Sequence, residues 1–429
     1  MADTVDTSLW PVSEIAFGGL FGDRGLALPL DPDLTVLTGE NGSGKSTLLK
    51  AIHLVSEELW HELFPLPLAW LRLVFSSGER LEIRWEDAGL TVDGPVEPWH
   101  FDAELASGIE PDVLKSLRDR RGEPGFDRIR LSGMWHAELR YGHLDPEQLA
   151  SVISPQWLGE LLARFHTKHI SARRLEHKLR PDPSGVEGGR VPVVQEFADQ
   201  LKDLMKTRLS AYASDSRRQE QRLPTRIVEA MQQIPTEDPE VLAQEVDQLR
   251  AEVRSRAESL ARVGLFEGED PDYLPEYPRD NPLILLAVRE VYRVTAQRLQ
   301  ELTGLRHNLE LFSDFLNERF SNKHVELNQQ VGIGVALADG ERIQPRELSS
   351  GEQQLLALAY ELLFDTEPEA IVLLDEPELS LHVAWLQGLL NAFCDMGQSR
   401  RLQFLIATHS PVILRGHQER ERSLDLRPV

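Results

Sequence analysis

The run Gly-Glu-Asn-Gly-Ser-Gly-Lys-Ser-Thr, which ends at Thr47, constrains this chain more than any other feature. An apolar run begins at Leu34 before it, and a helix-compatible stretch follows it. In this strand, loop and helix order, backbone N–H groups wrap phosphates and the helix offers its positive end. Lys45 is expected to reach the β- and γ-phosphates, and the Ser46 hydroxyl to coordinate Mg²⁺. The motif predicts a phosphate-binding loop made by Gly39, Asn41, Gly42, Ser43, Gly44, Lys45, Ser46 and Thr47.

An acidic pair, Asp375 and Glu376, follows the apolar run Ala-Ile-Val-Leu-Leu. At the end of a buried strand beside a nucleotide, one carboxylate can hold Mg²⁺ and its neighbour can polarise the attacking water. The pair therefore predicts Asp375 as a metal ligand and Glu376 as the general base. Seen alone, such a pair is often a turn or a helix cap, but the upstream phosphate loop favours the catalytic interpretation.

Two further motifs lie on either side of the acidic pair. Leu-Ser-Ser-Gly-Glu-Gln begins at Leu348 and precedes a helical run, so Ser349, Gly351 and Glu352 would meet a γ-phosphate at a helix start. Read alone, this segment is only a good helix cap. His409 follows an apolar strand run in Ala-Thr-His-Ser-Pro and is predicted to sense the γ-phosphate through a hydrogen bond.

Apolar patterning indicates the organisation of the remaining chain. Short runs between residues 68 and 94, separated by Ser-Gly, Ala-Gly and Asp-Gly turns, predict an antiparallel meander. Alternation before the Asp339-Gly340 turn predicts a hairpin, and the apolar runs before Asp375 and His409 predict buried parallel strands. The fold class is therefore α/β, with a mainly parallel core sheet, an antiparallel β subdomain and a helical insertion. We divide the chain into residues 1–185, 186–322 and 323–429.

The helical stretch from about residue 192 to 320 contains a 4,3 apolar alternation that Arg256 interrupts. Such a helix packs either on the core of its own chain or, as the second interpretation, on a partner. The residues of the alternation are Leu242, Val246, Leu249, Val253 and Leu260.

The formal net charge of −24 makes the average surface repel nucleic acid, so DNA binding must be argued from local residues. One basic segment is either a solvated face or a phosphate contact, to DNA or to nucleotide; it holds Lys168, Arg173, Arg174, Lys178 and Arg180. The start of the chain lacks a signal-peptide pattern and no run is long enough to span a bilayer, which predicts a cytoplasmic protein without membrane contact. Cys394 is the only cysteine and is expected to be a packing thiol.

The four motifs in this order, with Asp-Glu-Pro-Glu-Leu-Ser-Leu-His from Asp375 to His382, resemble the ABC-type ATPases of the SMC, RecF and OLD class. Within it, the chain looks most like bacterial AAA-type ATPases of OLD, Septu and retron-associated anti-phage systems. The resemblance covers about residues 1–55 and 323–415. It implies an ABC-type head that binds ATP and Mg²⁺ and hydrolyses ATP to ADP and phosphate, with Lys45, Glu376 and His409 as catalytic residues. It also implies a head-to-tail dimer in which Ser349 and Gly351 act on the partner's nucleotide and residues 378–382 cross the interface.

The sequence departs from this class in several places. Its signature reads Leu-Ser-Ser-Gly-Glu where transporter subunits carry Leu-Ser-Gly-Gly-Gln, which disfavours transport. The glutamine that links Mg²⁺ to the variable domain in the class is not evident, and Gln156 is the remaining candidate. Because the sequence ends soon after His409, we expect it to lack the nuclease domain that OLD proteins carry there.

These features predict a switch that works in DNA repair or anti-phage defence as a homodimer or a higher even-numbered assembly. Its expected partner is a protein effector, a nuclease or a toxin, with DNA or RNA as another candidate. Two alternatives stay open. One is a subunit that energises a membrane transporter, and the other is a low-turnover sensor or scaffold that depends on nucleotide.

Overall fold

The computed structural model describes residues 10–20, 22–109, 114–115, 118, 146–171, 192–232, 238–266, 274, 276–379 and 381–424. The chain forms two compact units, the first from residues 1–173 and 365–429 and the second from residues 174–364. The first unit therefore combines both ends of the chain. The division into residues 1–185, 186–322 and 323–429 is a different partition and stays a prediction.

The described strands, in chain order, are β1 (Val12–Gly19), β2 (Gly22–Pro29), β3 (Leu34–Thr38), β4 (Trp70–Phe75), β5 (Arg80–Glu86), β6 (Gly89–Asp93), β7 (Trp99–Asp102), β8 (Thr167–Ile170), β9 (Lys323–Asn328), β10 (Gly332–Leu337), β11 (Arg342–Ile343), β12 (Ile371–Asp375), β13 (Gln403–Ala407) and β14 (Glu421–Ser423).

The described α-helices are α1 (Lys45–Ser56), α2 (Trp60–Leu63), α3 (Ala103–Ser107), α4 (Pro146–Val152), α5 (Gln156–Leu162), α6 (Val193–Gln232), α7 (Pro239–Arg262), α8 (Pro282–Gln300), α9 (Thr303–Asn317), α10 (Ser350–Phe364), α11 (Val383–Leu386) and α12 (Leu389–Gln398). Two 3₁₀ turns lie at Pro345–Glu347 and Gln418–Arg420. Among the described residues, no helix carries an apolar stretch long enough to cross a bilayer.

The first unit is built around a five-stranded sheet in the order β14-β3-β13-β12-β8, and every neighbouring pair is parallel. Strands β3, β12 and β13 are almost wholly buried, as their continuous apolar runs predict. Because the strands run in the same direction, their C-terminal ends meet at one edge of the sheet. The segments that follow β3, β12 and β13 are the ones that carry the predicted chemistry.

A second sheet of the same unit has the order β2-β1-β4-β5-β6-β7 and is antiparallel throughout. Strands β4, β5 and β6 pair consecutively, so the predicted meander is confirmed. On β4 the buried positions alternate, at Leu71, Leu73 and Phe75. This alternation gives the sheet one face for the core and one face for solvent.

Helix α1 lies in the core that the two sheets share. Its Leu48 and Ile52 are fully buried and belong to one apolar cluster with Ile83 of the antiparallel sheet and with Leu373 and Leu405 of the parallel sheet. A helix that is apolar on several sides is stable only when it is covered on each of them. The packing therefore fixes the first turn of α1, which follows the phosphate loop, against both sheets.

A buried amide joins the two sheets. The Gln403 side chain is fully buried and its Oε1 accepts a hydrogen bond from Val12 N at 2.9 Å. Its Nε2 donates to Val12 O at 2.8 Å and to Asp31 O at 2.9 Å. One side chain thus pairs with three backbone groups, and its bonds to Val12 are fully buried.

The second unit contains α6 to α10 and the antiparallel sheet β11-β10-β9. Helix α7 lies along α8, where Arg256 Nη1 donates to Ala296 O at 2.8 Å. Most of the predicted apolar stripe of α7 is buried there, which supports packing within the chain; its buried members are Leu242, Val246, Val253 and Leu260. The hairpin of β10 and β11 is also as predicted.

The two units together contain the predicted parts: a parallel core sheet, an antiparallel β subdomain and a helical insertion. The α/β fold class is therefore confirmed.

Candidate nucleotide site

The phosphate loop connects β3 to α1, and its glycines occupy backbone conformations that other residues rarely adopt. Gly42 has φ 84° and Gly44, which caps α1, has φ 91°. A Cβ added at Gly44 would lie 2.6 Å from Leu20 Cδ2. These positive φ angles turn the chain so that successive N–H groups can face one point, the arrangement that binds anions.

Lys45 is the first residue of α1 and is only 4% exposed. Its Nζ donates to Gly39 O at 2.9 Å, to Glu40 O at 3.1 Å and to Ser43 Oγ at 3.3 Å. The ammonium group is thus held within the curve of the loop. A bound phosphate at this position would meet a fixed positive charge together with the loop N–H groups.

Ser46 and Asp375 form the candidate metal site. Ser46 Oγ donates to Asp375 Oδ1 at 2.8 Å, so the start of α1 meets the end of β12. Two adjacent ligands of an octahedral Mg²⁺, each at about 2.1 Å, are about 3 Å apart, and hard oxygen donors are what this ion prefers. Burial raises the pKa of the Asp375 carboxyl, although the Ser46 hydroxyl and the Lys45 charge oppose the rise. A cation would stabilise the charge that burial disfavours, so these residues fit the ion.

Glu376 and His409 face each other across the ends of β12 and β13. Glu376 has φ 46°, a left-handed conformation that costs a residue with a side chain some free energy, and its N–H donates to Ala407 O at 2.8 Å. His409 Nε2 lies 3.4 Å from Glu376 Oε1, and His409 Nδ1 lies 3.5 Å from Lys45 Nζ. The imidazole therefore lies between the candidate base and the phosphate-loop lysine.

Glu378 ties the two strand-end loops together. Its Oε1 accepts hydrogen bonds from the Thr408 hydroxyl and from His409 N, the latter at 3.1 Å. This carboxylate sets the position of His409 through its backbone. Of the segment 378–382, Ser380 lies outside the described residues.

The signature segment lies in the second unit, at the start of α10. Ser349 donates to Glu352 Oε2 from its N–H at 2.8 Å and from its hydroxyl at 2.7 Å. Lys323, the first residue of β9, lies 2.6 Å and 2.8 Å from the two Glu352 carboxylate oxygens. Burial raises the pKa of the Glu352 carboxyl, but Lys323 and Ser349 outweigh burial and lower it. Sequence reasoning missed Lys323, because nothing in its neighbourhood marks it as the partner of Glu352.

Gln353 holds the loop that leads into the signature. Its Nε2 donates to Leu348 O at 2.8 Å and to Arg346 O at 3.0 Å. These bonds fix the backbone just before Ser349, while Gly351 lies in the first turn of α10. The predicted helix-start geometry of the segment is present.

The structure does not bring Gln156 to the strand ends. Gln156 begins α5, and its amide bonds Glu160 at 2.7 Å. This helix leads towards the N-terminal end of β8. On β8, Ile170 pairs with Leu374 of β12. The next residue, Ser171, therefore lies beside Asp375, at the place where a metal-linking glutamine would be needed.

Two other sequence features have definite positions. In the basic segment, Lys168 donates to Asp365 Oδ2 at 2.6 Å, whereas Arg173, Arg174, Lys178 and Arg180 lie outside the described residues. Cys394 is half-buried on α12, and burial raises the pKa of its thiol. A thiol with a raised pKa carries little thiolate at neutral pH, which fits packing better than nucleophilic catalysis.

A family described as "AAA domain, putative AbiEii toxin, Type IV TA system" matches residues 165–415, the stretch that contains the signature, the acidic pair and His409. The chain belongs to this family. A second description, "AAA domain", matches residues 16–57 and covers the phosphate loop. The AAA-domain assignment thus includes every motif of the candidate site.

Curated relatives include ATP-binding proteins of import and lipoprotein-releasing systems. The chain is 31% identical over 116 residues to the thiamine import ATP-binding protein ThiQ of Chelativorans sp. (strain BNC1), which covers 22% of this chain and 45% of the relative. It is 37% identical over 89 residues to the lipoprotein-releasing system ATP-binding protein LolD of Pseudomonas syringae pv. tomato, with 21% and 36% covered. The match spans less than half of each of these relatives. The family match identifies the chain as an AAA-domain protein, and the similarity to these ATP-binding proteins is limited to the matched segments.

Solved structures that align with this chain include head domains of Smc proteins. The Smc head domain of Pyrococcus furiosus, bound to the C-terminal domain of ScpA, is 14% identical, with 94% of this chain and 91% of that chain covered at a TM-score of 0.41. The SMC head domain of Thermotoga maritima is also 14% identical, over 94% of this chain and 91% of that chain, at a TM-score of 0.37.

Proposed function

We propose that the protein closes as a homodimer around ATP, that hydrolysis reopens it, and that a partner effector uses this change of shape. One observation carries the proposal: groups from three distant segments converge at the ends of β3, β12 and β13. Ser46 Oγ contacts Asp375, while His409 lies within 3.5 Å of Lys45 and 3.4 Å of Glu376. This set contains a phosphate cradle, a metal site and a base, which are the parts that phosphoryl transfer needs.

The chemistry of each residue follows from its position. Glu376 accepts the proton of the attacking water, because its carboxylate directly follows the metal ligand Asp375 and lies at the same strand end. His409 donates a hydrogen bond to the γ-phosphate, and Lys45 neutralises its charge. Ser46 and Asp375 would hold Mg²⁺, which would supply positive charge to stabilise the negative charge that develops during phosphoryl transfer.

Exposed apolar side chains beside the site support a second copy as its cover. Leu379 is 45% exposed and Val383 is 64% exposed, and both follow Glu378 closely. Val412 is 38% exposed and follows His409 by three residues. Such side chains next to a charged site favour burial against another protein surface. In the proposed dimer, the partner's Ser349 and Gly351 complete the γ-phosphate site.

The biological role that we propose is genome defence or repair in the cytoplasm, with a nuclease or a toxin as the effector and nucleic acid as a candidate trigger. The family description, which mentions a toxin and a type IV toxin–antitoxin system, supports the defence role. The importer and exporter relatives keep transport as the alternative, but they match only about a fifth of this chain, 22% and 21%. Recovery of the protein with a permease in a membrane fraction would favour transport.

The deciding experiment is Glu376→Gln, which keeps the shape of the side chain and removes the base. We expect ATP turnover to fall by about 10²- to 10⁴-fold while ATP still binds. ATP should then trap the variant as a dimer, which size-exclusion chromatography with light scattering measures.

The matched control is Glu97→Gln, which neutralises an exposed glutamate of the turn between β6 and β7. Its turnover and mass should equal those of the wild type. Lys45→Ala should neither bind ATP nor dimerise. A Glu376→Gln protein that hydrolyses ATP at the wild-type rate, or that stays monomeric with ATP, would contradict the proposal.

A further inference from the structure

The donors that should capture the γ-phosphate are already occupied within the second unit. Both the N–H and the hydroxyl of Ser349 donate to one oxygen of Glu352, at 2.8 Å and 2.7 Å. The Glu352 carboxylate therefore sits where Ser349 would place a phosphate oxygen. A carboxylate of the protein itself thus occupies the position proposed for the phosphate.

A helix cap alone does not require this arrangement. In a capping box, the serine Oγ accepts from the backbone N–H three residues later, and the glutamate accepts from the serine N–H. The first of these bonds is long here, 3.4 Å from Glu352 N to Ser349 Oγ. The hydroxyl instead lies 2.7 Å from a carboxylate oxygen, and an oxygen of an ionised carboxylate can only accept, so Ser349 is the donor.

Lys323 makes the cluster more than a local turn. It reaches Glu352 from β9, and its Nζ contacts both carboxylate oxygens, at 2.8 Å and 2.6 Å. Glu352 is 6% exposed, so its charge is poorly screened by solvent and needs this counter-ion. The pKa of Glu352 is lowered by Lys323 and Ser349 despite burial, which keeps the carboxylate ionised at neutral pH.

We propose that Glu352 is an internal competitor of the γ-phosphate for Ser349, and that Lys323 is the counter-ion that makes the exchange feasible. This inference rests on the proposed function, in which Ser349 holds the nucleotide of the partner copy. A serine has one O–H and cannot donate it to both acceptors, so capture of ATP requires Glu352 to release it. The exchange sets a threshold of ATP concentration below which the dimer stays open.

The test compares ATP-driven dimerisation in proteins that all carry Glu376→Gln, so that hydrolysis does not intervene. Glu352→Gln keeps the shape, removes the charge and weakens the bond to Ser349, because charge-assisted hydrogen bonds are about twice as strong as neutral ones. We expect the half-saturating ATP concentration to fall by about three- to ten-fold. ATP binding by the monomer, measured with a fluorescent analogue at low protein concentration, should not change.

Lys323→Met tests the counter-ion. It leaves an uncompensated carboxylate beside the arriving phosphate, and we expect the half-saturating ATP concentration to rise by about ten-fold or more. Adding Glu352→Gln to Lys323→Met should reverse most of that rise, because the carboxylate causes it. The matched control is Glu326→Gln, which neutralises a half-buried glutamate of the same small sheet, 3.0 Å from Arg342, and should change nothing.

The outcomes separate this inference from the proposed function. If Glu376→Gln alone does not dimerise with ATP, the proposed function fails. If it dimerises but Glu352→Gln leaves or raises the half-saturating ATP concentration in a protein of unchanged melting temperature, competition by Glu352 is wrong. If Glu352→Gln alone does not fold, the protein that combines Lys323→Met with Glu352→Gln decides. Competition by Glu352 requires this protein to dimerise at a lower ATP concentration than the protein with Lys323→Met alone.

Discussion

Two histidines illustrate how single residues set the conditions under which the core is stable. His53 of α1 and His169 of β8 have ring centroids 5.6 Å apart, and His53 Nδ1 lies 2.9 Å from Thr167 Oγ1. Burial, followed by the neighbouring His53 and Lys50, lowers the pKa of His169 to about 4. Burial also lowers the pKa of His53. Both imidazoles are therefore neutral in the folded protein at neutral pH.

This predicts a loss of stability in mild acid. The unfolded chain protonates His169 near its ordinary pKa of 6.5, whereas the folded chain does so only near 4. Between these values the unfolded state binds more protons, so the free energy of unfolding should fall by at most about 1.4 kcal/mol per pH unit. Urea unfolding at several pH values measures this slope. His169→Asn should flatten it and exposed His166→Asn should not; equal slopes in all three proteins would contradict the assignment.

At the scale of elements, the union of the two sheets depends on the Gln403 amide of β13 as well as on apolar contact. Its side chain is fully buried, and its three hydrogen bonds satisfy Val12 N, Val12 O and Asp31 O. Burial of unpaired polar groups costs more than most apolar contacts contribute. The hydrogen bonds of Gln403 therefore specify how β1 packs beside β13.

Gln403→Leu should destabilise the protein by about 2–4 kcal/mol, because three backbone groups lose their partner while the volume stays similar. The change in urea midpoint at constant slope gives this value. Gln398→Leu, at an exposed position at the end of α12, is the control and should change stability little. A loss below about 0.5 kcal/mol for Gln403→Leu would show that water replaces the amide at no cost.

Elements with strong local patterns were predictable from the sequence, and elements fixed by distant contacts were not. The continuous apolar runs gave β3, β12 and β13, and the turns between short runs gave the meander. Strand β8 was hidden because only Ile170 of its four residues is buried. At the site, the order of the motifs predicted that Lys45, Asp375 and His409 lie close together. It could not predict Lys323, whose role depends on a contact with Glu352 across the second unit.

At the scale of the whole molecule, the proposed sharing of a site between two copies has a consequence for mixtures of variants. Lys45→Ala removes the lysine of the phosphate loop, and Ser349→Ala removes the hydroxyl that, in the proposed dimer, contacts the nucleotide of the partner. Each variant alone should be nearly inactive. In a mixed dimer, one of the two sites combines an intact Lys45 with an intact Ser349.

An equal mixture should therefore recover part of the wild-type turnover, at most about half, since each mixed dimer has one intact site of two. Steady-state ATPase rates at increasing protein concentration measure the recovery. Lys45→Ala mixed with Glu376→Gln is the control and should recover nothing, because both defects lie on the same side of the site. Absence of recovery in the first mixture would contradict a shared site.

The bond between Gln403 and Val12 joins residues 391 positions apart, and this has a consequence for synthesis. A ribosome that adds about 5–20 residues per second synthesises Gln403 roughly 20–80 s after Val12. During that time the nascent chain carries a phosphate loop whose neighbouring strand β13 does not yet exist. A product that stops before residue 403 lacks that strand, so premature termination and slow translation should leave the N-terminal strands dependent on chaperones.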